Sequence, residues 1–140
     1  DLKIIKFHES EKIHIFTKKN CDKKKIDQIR KLGLNLIQVG KKKGQLDISE
    51  ILLKIGSLQI NKLLVEGGSS IWTTFVKENF FDEIIVFWGN NILNGTGMPA
   101  FNDFLPVNSR IKDFPRLKLK YIKNWGDDIE AVWIPSTQET

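Results

Sequence analysis

The organisation of the chain is clearest in one stretch, Lys62-Leu63-Leu64-Val65-Glu66-Gly67-Gly68-Ser69-Ser70-Ile71-Trp72. A short apolar run that ends at a turn signal is typical of a buried strand. The two glycines predict a tight turn, and Ser69 and Ser70 are favourable N-cap residues. Apolar residues then recur at helical spacing, at Ile71, Trp72, Phe75 and Val76. The stretch therefore predicts a strand, a turn and the start of a helix.

The predicted turn is a candidate site for an anion. Glycines lack the Cβ atoms that keep a ligand away from the backbone. A helix N-terminus offers unpaired N–H groups and partial positive charge, which suit a phosphate. Glu66 would lie at the C-terminal tip of the strand, where open α/β sheets usually bind ligands. A plain connector stays open as the alternative, because Gly-Gly turns commonly join strands to helices. The stretch is also not a dinucleotide fingerprint or a P-loop, since the third glycine and the Lys-Ser/Thr pair are missing.

Length and composition are those of a soluble globular protein. We expect a single domain over residues 1–140, with 41% apolar and 28% charged residues. The sequence has no signal peptide and no apolar run near the roughly 18 residues that a membrane span needs, so we expect no membrane association. The one cysteine, Cys21, cannot form an internal disulfide and fits a reducing compartment. We therefore expect a cytoplasmic protein.

The net charge of +5 comes largely from lysine runs at Lys18-Lys19, Lys23-Lys24-Lys25 and Lys41-Lys42-Lys43. A basic balance favours anionic partners, either nucleic acid or phosphorylated small molecules. The runs fall in loops and on the solvent side of a predicted helix, and no aromatic residues are interleaved with them as in single-strand binders. We interpret them as solvated surface and expect no nucleic-acid partner, with a non-catalytic nucleotide- or RNA-binding module as the alternative.

The order of elements indicates an α/β protein. Strands and helices alternate, which predicts a mostly parallel sheet flanked by helices. Asp47 and Glu50 resemble a capping box that opens a helix, and the apolar strand 84–88 predicts burial on both faces. A C-terminal antiparallel hairpin closes the chain. The elements are strands at 12–17, 34–39, 62–65 and 84–88, helices at 22–32, 47–56 and from Ser69, and hairpin strands at 116–124 and 129–134.

No metal or catalytic residue can be assigned from the sequence. One cysteine and two distant histidines cannot build a zinc site. Chemistry at this chain would therefore come from a cofactor, with the protein supplying position and electrostatics.

Several segments together resemble one family, the reductase (C-terminal) domain of the bacterial riboflavin-biosynthesis deaminase–reductase. They are Leu63–Ser69, Phe75–Glu78, Asp82–Ile85, Gly95–Gly97 and Gly126–Ile129. The resemblance implies a dihydrofolate-reductase-like fold and an enzyme of riboflavin biosynthesis. It implies NADPH-dependent reduction of the ribose of a phosphorylated pyrimidine, 5-amino-6-(5-phosphoribosylamino)uracil. A related reductase of the same fold, acting on a diaminopyrimidine or pterin-like substrate, is the alternative.

The resemblance also implies the roles of individual residues. Glu66 is expected to contact the substrate. The residues expected to bind NADPH are Gly67, Gly68, Ser69, Ser70, Ile71, Trp72, Thr73 and Thr74.

The resemblance does not extend to the front part of the family's reductase domain or to the deaminase domain usually found upstream, which have no counterpart in this sequence. Residues 1–4 resemble the end of a strand that begins earlier. We therefore expect the 140-residue chain alone to be inactive, and to self-associate as a homo-oligomer through uncovered strand surface.

Overall fold

The structure is a computed structural model that describes residues 3–7, 9–92, 95, 97–102, 105 and 108–136. It divides the chain into two compact units, residues 1–63 and 64–140. The single domain expected from the length therefore stays a prediction, and each unit is described by itself.

In the first unit, the described residues form four helices or helical turns and two small sheets. Its N-terminal element is a helix, so the strand end expected at residues 1–4 is wrong for Lys3 and Ile4, while Asp1 and Leu2 lie outside the described residues. In chain order the elements are α1 (Lys3–Phe7), a 3₁₀ turn (Ser10–Lys12), β1 (His14–Lys18), α2 (Lys23–Lys31), β2 (Asn35–Val39), β3 (Lys41–Lys42), β4 (Gln45–Leu46) and α3 (Ile48–Ser57).

Strands β1 and β2 pair in parallel, with α2 as the connection between them. Local signals set the ends of α2: the Asp22 carboxylate accepts a hydrogen bond from the Lys24 N–H at 2.9 Å, and Gly33 has a φ of +72° just after the helix. Leu34 and Val39 are buried and form the apolar core of this unit. The strand–helix–strand prediction over 12–39 is confirmed, with boundaries shifted by one or two residues.

Asp47 is the N-cap of helix α3, as predicted, but the capping box is only half formed. The Asp47 carboxylate accepts from the N–H groups of Ser49 and Glu50 at 3.0 and 3.4 Å. The Glu50 carboxylate does not return to Asp47; it accepts from the Gly40 N–H at 2.6 Å. Glu50 thereby holds the end of β2 and its following hairpin against the helix.

The described residues of the second unit form one α-helix, a 3₁₀ turn and a three-stranded antiparallel sheet in the order β5-β7-β6. Its core includes Ala131 and Val132 in the central strand, and the predicted C-terminal hairpin is confirmed. Gly126, with a φ of +68°, starts the two-residue turn of that hairpin. The elements are α4 (Ser69–Lys77), β5 (Ile84–Trp88), a 3₁₀ turn (Ile111–Asp113), β6 (Leu117–Trp125) and β7 (Asp128–Pro135).

A bulge in β6 explains an ion pair between this strand and Glu83, the residue just before β5. The register shifts between Leu119 and Tyr121, so that Lys120 has no opposite residue in β7. A bulge re-aims the side chain of the extra residue, and the Lys120 ammonium forms an ion pair with Glu83. That hydrogen bond raises the pKa of Lys120.

Two predictions about strands are wrong. Residues 61–66 form no strand, and Leu64 is 73% exposed, because no strand among the described residues pairs with this segment. Strand β5 exists, but among the described strands it pairs with β7 alone, at the edge of the sheet, and Phe87 is 65% exposed. The β1–β2 pair is the one parallel pairing in the described ranges, so the pairing is less parallel than the alternation of elements predicted.

Candidate functional site at the start of helix α4

The first turn of α4 is capped by a glycine and not by a serine. Gly68 is the N-cap, in extended conformation with φ −98° and ψ 172°, and no side chain caps the helix. The Ile71 and Trp72 N–H groups donate to the Gly68 carbonyl oxygen at 3.0 and 3.3 Å. The predicted N-cap role of Ser69 and Ser70 is therefore wrong. The N-cap lies before them, at Gly68, and both serines lie inside the helix.

The backbone at the two glycines is accessible, as the anion-site prediction requires. Both are exposed. A Cβ added to Gly68 would meet no atom within 4 Å, so the space beside its backbone is open. Gly67 has a φ of +151°, which side chains rarely adopt, and a Cβ there would lie 3.3 Å from Ile71 Cδ1. Gly67 is thus needed for the turn itself, whereas Gly68 leaves room for another molecule.

The other predicted site residues divide into two groups. Glu66 and Ser70 are exposed, Ser69 is half-buried and Ile71 is exposed, all around the glycine turn. Further along the helix the polar atoms bond within the unit: Trp72 Nε1 donates to the Val65 carbonyl oxygen at 3.3 Å, and Thr74 Oγ1 donates to that of Ser70 at 2.9 Å. Thr73 is buried. The accessible part of the predicted site is therefore Glu66 to Ile71.

One residue at this site was not identified from the sequence. Asn102 approaches α4 from the long loop after β5: its side-chain Oδ1 accepts from the Ser69 hydroxyl at 2.7 Å, and its backbone N–H donates to Thr73 Oγ1 at 2.8 Å. No short-range pattern links residues 33 positions apart, so the sequence carried no signal for this contact. In the loop that follows β5, Leu93, Asn94 and Thr96 lie outside the described residues, and Thr96 belongs to the segment Gly95–Gly97 on which the family resemblance partly rests.

The electrostatics of the turn favour a negatively charged group. The first N–H groups of a helix have no carbonyl one turn earlier to bond, and the helix dipole adds partial positive charge at this end. Gly68 brings no side-chain acceptor to compete for them. The open space beside Gly68 lets another group approach the backbone, as binding of a phosphate at a helix N-terminus requires. The residues at the turn therefore fit a phosphorylated cofactor.

A metal site and a membrane-spanning helix are both absent from the parts of the chain that the structure describes. No three His, Cys, Asp or Glu side chains there come close enough together to hold a metal ion. No helix in those parts has both the length and the hydropathy that crossing a bilayer requires.

Comparison with known protein sequences gives one consistent result. The family described as RibD C-terminal domain matches residues 2–131. The riboflavin biosynthesis protein RibD of Aquifex aeolicus is 34% identical over 127 residues, covering 91% of this chain and 33% of the relative. The 2,5-diamino-6-ribosylamino-4(3H)-pyrimidinone 5′-phosphate reductase of the same organism is 31% identical over 86 residues, covering 61% of this chain and 38% of the relative.

Solved structures give the same fold. Form 1 of RibD from Acinetobacter baumannii superimposes with a TM-score of 0.74 at 19% identity, covering 96% of this chain and 33% of that chain. A Thermotoga maritima protein described as a diaminohydroxyphosphoribosylaminopyrimidine deaminase/5-amino-6-(5-phosphoribosylamino)uracil reductase gives a TM-score of 0.57 at 17% identity, covering 88% and 37%. The chain spans between 25% and 33% of the length of the first curated relatives.

Proposed function

The chain belongs to the RibD C-terminal domain family, and on that premise we propose that it is the reductase domain of a riboflavin-biosynthesis enzyme. The resemblance predicted from the sequence and the α/β, dihydrofolate-reductase-like fold class are confirmed by the family match and the structural neighbours. The proposed activity is that of a pyridine-nucleotide-dependent oxidoreductase within a bifunctional deaminase–reductase.

The proposed substrate is 5-amino-6-(5-phosphoribosylamino)uracil, whose ribose is reduced to a ribityl chain with NADPH as hydride donor. The description of the Thermotoga maritima protein names a reductase of this compound, which supports the choice. Transfer of a hydride from a bound nicotinamide needs no protein nucleophile. The contribution of the chain is then to bind and orient, which suits a site built from backbone amides and a carboxylate.

The observation that carries this proposal is the open backbone at Gly68 on the uncapped start of α4. We assign the cofactor diphosphate to the N–H groups of Gly68 and Ser69 at the start of this turn, within the predicted segment from Gly67 to Thr74. Glu66 is exposed one residue before the turn. Its carboxylate can accept hydrogen bonds from the hydroxyl groups of a ribose held beside the cofactor, which supports its assignment to the substrate.

A fluorescence titration with NADPH tests the cofactor site on a matched pair of variants. A Cβ at Gly68 or at Gly56 would meet no atom within 4 Å, and neither glycine has a positive φ. Gly68→Val should weaken NADPH binding at least about tenfold, because the branched side chain occupies the space for the diphosphate. Gly56→Val should leave binding unchanged. Equal NADPH affinity of the wild type and both variants would refute the site. Failure of the wild type to bind NADPH would refute the cofactor assignment. A parallel titration with NADH tests the preference for NADPH.

A second substrate is favoured by one specific relative. The Aquifex aeolicus reductase of a 2,5-diaminopyrimidinone ribosyl phosphate is 31% identical to this chain over 86 residues. Both substrates share the ribosyl phosphate and differ in the pyrimidine ring. Calorimetric titration of the NADPH-saturated chain with each compound distinguishes them: we expect tighter binding of the 5-aminouracil compound, and tighter binding of the diaminopyrimidinone would favour the second substrate.

A further inference from the structure

Asn102 holds the beginning of α4 at two points. Its side-chain oxygen accepts from the Ser69 hydroxyl at 2.7 Å, and its backbone N–H donates to Thr73 Oγ1 at 2.8 Å. Ser69 and Thr73 are four residues apart and share one face of the helix. A single loop residue thus fixes both the first and the second turn of α4.

The contact with Thr73 is the anchor of this arrangement. Thr73 is 6% exposed, and a buried hydroxyl without a partner is costly. The Asn102 backbone supplies a donor to it, so the loop and the helix stabilise each other. Because this bond comes from the backbone, replacing the Asn102 side chain leaves it available and removes the contact to Ser69 alone.

The contact with Ser69 is adjustable, because an amide carries an acceptor and a donor. With the amide oxygen toward Ser69, the Ser69 hydroxyl proton points at Asn102. If the amide turns over, Asn102 Nδ2 donates to Ser69 Oγ, and the Ser69 proton is released toward the first turn of the helix. An aspartate could accept from Ser69 equally well, but it could never donate in return.

We propose that Asn102 is a positioning residue of the pyridine-nucleotide site, an inference that rests on the proposed function. It holds the first turn of α4 in place. When the diphosphate binds there, the Asn102 amide turns over, so that Ser69 donates its hydroxyl proton to a phosphate oxygen while accepting from Asn102. The Ser69 hydroxyl proton and the Asn102 amide protons stay on their own atoms throughout, and only the hydrogen-bond partners change.

Two variants separate this role from a purely structural one. Asn102→Ala removes the contact to Ser69, whereas Asn102→Asp keeps an acceptor for the Ser69 hydroxyl and cannot donate. Asn124→Asp adds the same charge at an exposed position of β6 and serves as the control. The measurements are NADPH affinity by fluorescence titration and hydrogen exchange of the amides in the second turn of α4.

For hydrogen exchange we expect about three- to tenfold faster rates in Asn102→Ala and nearly wild-type rates in Asn102→Asp. For NADPH affinity the order should differ: about a three- to tenfold loss in Asn102→Ala and about a further tenfold loss in Asn102→Asp, where a carboxylate faces the phosphate. Asn124→Asp should bind as the wild type does.

Wild-type NADPH affinity in Asn102→Asp would overturn the inference, because a tether alone would then suffice. Failure of the wild type to bind NADPH would overturn the proposed function instead. Even then, the hydrogen-exchange rates would decide whether Asn102 holds the start of α4 in place. Unchanged rates in Asn102→Ala would overturn this structural role as well.

Discussion

Helices α3 and α4 have almost the same length, ten and nine residues, but their N-termini are finished in opposite ways. At α3 the Asp47 carboxylate accepts hydrogen bonds from two first-turn N–H groups, those of Ser49 and Glu50. At α4 the corresponding residue is Gly68, which has no side chain to accept them. The N-terminus of α3 is therefore capped by a carboxylate of the chain itself, whereas that of α4 stays accessible to a ligand.

The difference costs the protein little. Glycine is a poorer N-cap than aspartate by only a few tenths of a kcal/mol. In return, the space beside the Gly68 backbone stays open, and no carboxylate of an N-cap residue occupies the positive end of the helix. A small loss of helix stability thus leaves room for a site that an aspartate at the same position would fill.

The largest effect is expected when α4 is given the same N-cap residue as α3, an aspartate. Gly68 has an extended conformation and open space around it, so Gly68→Asp should be accommodated without strain. The new carboxylate would occupy the first-turn N–H groups and repel a diphosphate, so NADPH affinity should fall by about a hundredfold. The melting temperature should rise by about 1–2 °C. Calorimetry and a titration on one preparation measure both; a variant that is stabilised and still binds NADPH normally would contradict the account.

The converse change removes the cap of α3. Asp47→Ala leaves the Ser49 and Glu50 N–H groups without their side-chain acceptor, so the melting temperature should fall by about 5 °C. NADPH binding should be unchanged, because we assign the cofactor to α4. Thermal denaturation and NADPH titration test both statements, with Asp47→Ser as the variant that restores a cap. A loss of NADPH affinity equal to that in Gly68→Asp would show that the two helix starts do not differ in role.

The smallest expected effect is a dependence of stability on acid. The hydrogen bond from the Ser49 hydroxyl, aided by backbone N–H groups, lowers the pKa of Asp47 below its ordinary value of 3.8. The ionised carboxylate therefore stabilises the folded state above pH 3.8, and this contribution is lost as the pH falls through the lowered pKa. Asp47→Asn keeps a cap that does not titrate. Urea denaturation from pH 6 to 2 should show the wild type losing its advantage over Asp47→Asn only below about pH 4; a constant difference across this range would contradict the assignment.

The ends of α2 and the start of α3 were predictable because their signals are local. Asp22 and Asp47 each accept a hydrogen bond from the N–H group two residues further on, and Gly33 takes the positive φ that follows α2. The turn of the C-terminal hairpin follows in the same way from Gly126. Such residues reveal their role within one turn of sequence.

The strands were less predictable because a strand depends on its neighbours. Residues 62–65 are apolar enough for a buried strand, yet no described strand pairs with them. The sequence of β5 likewise indicates burial on both faces, while its position at the sheet edge leaves Phe87 exposed. Apolar composition shows what a segment could bury, and pairing decides what it does bury.

The candidate site combines both cases. The glycine turn before α4 follows from a contiguous motif and is present in the structure, whereas Glu66, predicted at the tip of a strand, follows a segment that forms none. The choice of Gly68 over Ser69 as N-cap depends on one residue of register, and boundaries are the least certain part of any such prediction. The contact of Asn102 with Ser69 joins distant parts of the chain, so only the fold reveals it.

The most direct test of this account is an NMR titration of ¹⁵N-labelled chain with NADPH, following the backbone amides at the two helix starts. The account predicts large shifts for Gly68 and Ser69 at the start of α4, and none for Ser49 and Glu50, whose N–H groups are already bonded to Asp47. Saturable NADPH binding that leaves the Gly68 and Ser69 amides unshifted would contradict it.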